Sequence, residues 1–131
     1  MKRIILISAA MIFTSNLVHA DVADEMLAKF QQQGIQANAQ AGESLWNKTF
    51  TDHKTAQQRS CTSCHGNNLN HPGEHAKTGK AIKPMAPSVN SQRLTERKKI
   101  NKWFKRNCKW TIGRECTDQE KADLLSFLST L

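Results

Sequence analysis

The segment "CTSCHG" limits what this chain can become more than any other. Cys61, Cys64 and His65 form C-x-x-C-H, the attachment pattern of c-type haem. Two thiols add across the vinyl groups of the porphyrin, and the imidazole of the next residue reaches the iron. Cys64 and His65 must be adjacent because tether and axial ligand lie under one ring.

Two other chemistries use the same residue types. Cys61 and Cys64 with His71 and His75 form a Cys2His2 set for zinc. Its central gap is shorter than a finger's, however, and it leaves His65 without a role. A redox C-x-x-C needs a βαβ frame, and the sequence has no such pattern. The expected cofactor is therefore haem c, one per chain and covalently attached.

The N-terminus sets the compartment. Lys2 and Arg3 precede a nearly unbroken apolar run from Ile4 to Phe13, and Val18-His19-Ala20 reads as a small-residue cleavage site. This is the pattern of a secretory signal peptide over 1–20, and the run is too short to span a bilayer. The expectation is cleavage after Ala20, a periplasmic protein with no membrane span after processing, and one cytochrome c domain over 21–131. The full chain carries a net charge of +8. Export argues against nucleic acid as the partner of that charge and leaves acidic proteins or surfaces. In an oxidising compartment, cysteines left free tend to pair.

The apolar periodicity is helical, with no convincing alternating strand. Val22 to Gln33 places Met26, Leu27 and Phe30 at helical spacing, and Gly34 stops it. Asn38 to Phe50 is a second helix, with Ala41, Leu45 and Trp46 on one face. Gly66 to Asn90 is rich in Gly, Pro, His and Asn and reads as a long loop. A loop of that length in a small domain is expected to wrap something, here the haem. Thr95 opens a third helix running to about Asn107. Thr117 and Glu120 form a capping box for a last helix with Leu124, Leu125, Leu128 and Leu131 inward. The whole is an all-α c-type cytochrome architecture.

In the third helix, Ile100, Trp103, Phe104, Asn107 and Cys108 share one face, with Lys98, Lys102, Lys105 and Lys109 on the other. Asn107 is thus expected on the buried side, where an amide needs a partner. Either it caps the helix end on local backbone, or its carbonyl oxygen is directed at the iron, on the face opposite His65. Met85, in "KPMAPS", competes for that position, since a Pro-flanked Met is the soft ligand of an electron-carrying cytochrome. His71 and His75 are the third option.

"CTSCHG", "HAKTGKAIKPMAPS", "RLTERKKINKWFKRNC" and "GRECTDQEKADLLSFL" together resemble the sphaeroides haem protein family of monohaem cytochromes c. The likeness runs from about Gly42 to Leu131. It implies a class I-like cytochrome c fold, with helices and a long loop around one haem. It implies that Cys61 and Cys64 hold the haem, that His65 is the proximal ligand and that Asn107 is the distal ligand of the oxidised iron. It also implies that Cys108 and Cys116 are disulfide-bonded beside Asn107, with Gly113 as the turn residue of the closed loop. Met85 then packs against the haem edge.

An amide oxygen is a neutral, hard, weak donor, better suited to ferric than to ferrous iron. Reduction would release it and open the iron to O2, NO or CO. The expected function is electron transfer joined to diatomic gas binding; the alternative is an ordinary His/Met shuttle with Met85 as sixth ligand. The resemblance implies a dihaem cytochrome c and a membrane cytochrome b as redox partners. A third reading, enzymatic O2 or NO reduction, needs a distal acid, for which His71, His75 and Lys80 are the only candidates.

Overall fold

The computed structural model describes residues 21–131. The signal-peptide reading of 1–20, including cleavage after Ala20, lies outside the described residues. Five helices carry the fold: α1 Val22–Gln32, α2 Ala39–Asn47, α3 Thr62–His65, α4 Arg97–Thr111 and α5 Asp118–Ser129. Two small antiparallel hairpins join them, β1 Phe50–Thr51 with β2 Gln58–Arg59, and β3 Gly73–Glu74 with β4 Ala81–Ile82. These strands are two residues each, too short for alternation to announce them.

Several helix ends have an identifiable cause. Asp24 and Glu25 open α1 where the helix dipole favours acids. The chain leaves it through Gly34 at φ +82, with Gly34 N donating to Gln31 O and Ile35 N to Phe30 O. That is the Schellman closure glycine permits. Asn38 caps α2 by accepting from Ala41 N at 3.0 Å. Residues 48–50, expected to continue α2, instead lead into β1. Thr117 and Glu120 form the anticipated reciprocal box at the start of α5.

The core is built on α5. Leu124, Leu125, Phe127 and Leu128 are all buried. One cluster joins Trp46, Leu69, Cys108, Cys116, Leu124, Phe127 and Leu128. A second joins Ala23 and Met26 of α1 to Ile100 and Leu125. The helices α2 and α5 cross at Gly42, where a side chain would collide with Asp123. The α2 residue at this contact is thus Gly42, while Ala41 is exposed. Asp123, itself buried, accepts from Asn38 N at 2.7 Å and Gln119 Nε2 at 2.8 Å. No described helix is long and apolar enough to cross a membrane.

The expected long loop is pinned at several points. Met85 N and Ala86 N both donate to Leu69 O at 3.0 Å. Arg93 Nε donates to Pro84 O at 2.8 Å, and Arg93 Nη2 to Lys83 O. Leu94 follows at φ +60 and leads into α4. That helix starts two residues later than Thr95 and runs a full turn beyond Asn107.

Candidate haem site

The Cys-x-x-Cys-His segment is a single helical turn. The hydroxyls of Ser60, Thr62 and Ser63 knit its start: Ser60 N donates to Ser63 Oγ at 3.0 Å, and Ser60 Oγ lies 2.6 Å from Thr62 Oγ1. Gly66 at φ +71 ends it. The β3–β4 hairpin leans directly on this turn, since a Cβ on Gly73 would sit 2.1 Å from Cys64 O.

Cys61 and Cys64 form no disulfide, and both are half-buried. The His65 ring lies 5.2 Å from Trp46, tilted at 44°. Burial, with the Arg93 guanidinium second, pushes its imidazole down to about 4. His65 is thus neutral at ordinary pH, the form that can donate a lone pair to a metal.

Cys108 and Cys116 stand apart from this pair. Their Sγ atoms are 2.00 Å apart, with Cα atoms at 5.5 Å. Both are buried in the main cluster, and Gly113 turns the connecting loop at φ +86. Asn107 adjoins them, but not as a helix cap: α4 continues to Thr111. Nor is it buried as expected. The inward stripe of α4 is Ile100, Phe104, Cys108 and Thr111, and Trp103 and Asn107 lie on the exposed strip beside it. Trp103 is 46% exposed. Helical periodicity identifies a shared face, but not the edge of that face which other protein segments cover.

The remaining candidates are separated from one another. Met85 is half-buried and packs against the cluster that contains Leu69 and Cys108. His71, His75 and Lys80 are exposed, and the His75 ring is engaged by Lys77 N and Thr78 Oγ1. Among the described residues no three His, Cys, Asp or Glu side chains converge on a common metal position. The sequence reading overlooked Trp46 as the neighbour of His65, and Arg59 and Arg93 as supports. In the sequence Trp46 is marked only by its helical spacing; nothing local marks the two arginines.

The residues fit a covalently attached haem. Two thiols and a neutral imidazole share one turn. A buried donor, Trp46 Nε1, has no hydrogen-bond partner among the described residues, and a haem brings carboxylates able to accept.

Helices crossing at a glycine, with a Cys-x-x-Cys-His turn beneath them, define a c-type cytochrome. Residues 32–128 match the family described as a domain of unknown function (DUF1924). The chain is 44% identical over 96 residues to the cytochrome c-type protein SHP of Cereibacter sphaeroides, covering 73% of each. It is 35% identical over 89 residues to cytochrome c'' of Methylophilus methylotrophus, covering 68% of this chain and 61% of that one. The structure of oxidised SHP, described as an oxygen-binding cytochrome c, superposes with a TM-score of 0.75 at 36% identity, over 86% of this chain and 100% of that one. Oxidised cytochrome c'' superposes with a TM-score of 0.73 at 28% identity, over 83% and 94%. The chain belongs to the SHP family of c-type cytochromes. Its fold is all-α, and its cofactor is a single covalently bound haem c.

Proposed function

We propose that this chain is an exported, periplasmic electron-transfer cytochrome that binds a diatomic gas when reduced. Cys61 and Cys64 form the thioethers, His65 is the proximal ligand, Asn107 is the distal ligand of the oxidised iron, and Cys108–Cys116 is a disulfide. The observation that carries the reading is the placement of Asn107. It is exposed on α4, adjacent to the Cys108–Cys116 pair and outside the protein's own packing. The likeness to SHP, described as oxygen-binding, supports it.

A bound haem would supply one-electron redox chemistry and a place for a small ligand to bind. The chain's residues decide when that place is free. His65, neutral and set against Trp46, holds one side. Asn107 would offer a bound ferric iron a hard amide oxygen, a donor poorly matched to ferrous iron, so its hold would be the weaker in the reduced protein, where O2, NO or CO could compete with it. The alternative is a His/Met shuttle, favoured only by the half-burial of Met85 beside the main cluster.

Electrons arrive from acidic redox proteins, with a dihaem cytochrome c and a membrane cytochrome b as the proposed chain. The helix α4 bears Arg97, Lys98, Lys99, Lys102, Lys105, Arg106 and Lys109 and no acidic residue. Such a surface steers an acidic partner and raises its association rate at low salt.

Mixing ferrous protein with CO tests the function. A prompt and complete change of the haem spectrum is expected. A ferrous spectrum unmoved by CO would establish the shuttle instead.

A further inference from the structure

Arg59 is the second residue of β2 and stands two residues before Cys61. Its side chain is only 14% exposed. Its Nη1 donates to the carbonyl of Trp110 at 2.9 Å, and its guanidinium lies over the Trp110 ring, 4.9 Å from the centroid. Its Nη2 pairs with Asp52 and reaches Gln57 Oε1 at 3.5 Å. Asp52 is held in turn by Lys54 N at 2.8 Å and Thr55 N at 3.3 Å.

The carbonyl of Trp110 lies in the last turn of α4, where carbonyls lack an intrahelical donor. A cation there meets the negative end of the helix dipole, and a charge-assisted bond is among the stronger ones. Arg59 is therefore a long-range cap of α4, supplied by the segment that runs straight into the haem-attachment turn. Asn107 is three residues before Trp110, on the same strip of the helix. The Cys108–Cys116 pair ties that helix end to the start of α5; Arg59 ties it to the Cys-His turn.

We propose that Arg59 is a positioning residue for Asn107. By holding Trp110 to the residues immediately before Cys61, it fixes how far the turn bearing the asparagine stands from the turn bearing His65. The proposal rests on Asn107 being the distal ligand. Without the clamp the end of α4 moves relative to the attachment turn, and Asn107 spends more time away from its position. A cap that only stabilised the helix would change unfolding and leave ligand exchange alone.

The experiment uses the ferric holoprotein as Arg59→Gln and Arg59→Lys, each with and without Asn107→Ala, and measures cyanide association by stopped flow alongside the denaturation midpoint. With Asn107 present, Arg59→Gln is expected to speed cyanide binding by about fivefold or more, and Arg59→Lys, which keeps the charge but loses the fork, by less. In the Asn107→Ala background the same changes are expected to alter the rate by less than about twofold, since no protein ligand remains to be positioned. If Asn107→Ala speeds binding but neither Arg59 change does, Arg59 only stabilises the fold and the proposal is overturned while the ligand assignment stands. If Asn107→Ala itself leaves the rate unchanged, the ligand assignment falls and takes the proposal with it. Should Arg59→Gln fail to yield holoprotein, Arg59→Lys carries the same comparison.

Discussion

Gly42 and Asp123 approach so closely that a Cβ on the glycine would lie 2.1 Å from the aspartate's carbonyl oxygen. The obstacle is backbone in the middle of α5 and cannot rotate aside. The Cβ of Phe127 lies 2.9 Å from the same point. This crossing sets the distance between α2, which brings Trp46 to His65, and α5, on which the core is assembled.

Gly42→Ala must therefore push the two helices apart. Overpacking usually costs about 1–3 kcal/mol, and a clash with rigid backbone belongs at the upper end or above. Urea denaturation of the holoprotein is expected to show a lowered midpoint with an unchanged slope. A variant as stable as wild type would mean that α2 slides on α5 freely, and the crossing would not be the constraint described.

The identity of the sixth ligand is tested at two positions. Met85→Leu keeps volume and removes the sulfur. The ferric absorption and electron paramagnetic resonance spectra are expected to stay low-spin and unaltered, with no near-infrared sulfur-to-iron band in wild type. Asn107→Ala is expected to give high-spin or water-bound ferric iron. Loss of low-spin character in Met85→Leu alone would transfer the assignment to Met85.

Much of this site could be read directly because its signals are local. Cys61, Cys64 and His65 are contiguous, and the Thr117–Glu120 box and the leucines of α5 are periodic. The helix expected to end at about Asn107 runs on to Thr111, in keeping with the lack of any helix breaker from Cys108 to Thr111. Spacing places Asn107 beside Cys108 on α4 but does not say what covers it, whether other protein segments or the haem. The clamp from Arg59 to Trp110 joins residues 51 apart in the chain, and no local pattern encodes it. The β3–β4 hairpin leans on the attachment turn because Gly73 fits against Cys64, a property of the assembled fold.

Acid should weaken the start of α5 through Glu120. Arg114 donates to both its oxygens at 2.7 Å, and these bonds, opposed by partial burial and helped by Thr117 N, hold its carboxyl down to about 2. A folded value below the ordinary one means that the unfolded chain binds the proton more readily. The stabilisation is thus complete above about pH 4.5 and is lost as pH falls towards 2. Comparing urea midpoints of wild type and Glu120→Gln from pH 6 to 2.5, the advantage of wild type is expected to shrink through that window. A difference constant with pH would show that the ion pair contributes nothing beyond what glutamine supplies to the capping box.

The Cys108–Cys116 pair has a similar double reading, as a staple for the fold or as a mount for Asn107. If it is oxidised, thiol titration of the unfolded, unreduced holoprotein is expected to find none, because the other two sulfurs are thioethers. Cys116→Ser should then lower stability by about 2–3 kcal/mol, the value for closing a loop of this short span. Its effect on Asn107 is the more informative measurement. A ligand on a looser segment must give up more chain entropy each time it returns, so it is absent for a larger fraction of the time, and ferric Cys116→Ser should take up cyanide faster than wild type. Met85 is carried by a segment pinned separately to Leu69 and would not respond, so an unchanged rate in the Asn107→Ala background would place the effect on the asparagine. Equal cyanide rates in wild type and Cys116→Ser, with Cys108 shown to be a free thiol, would reduce the bridge to a staple and leave the positioning of Asn107 to the helix and to Arg59.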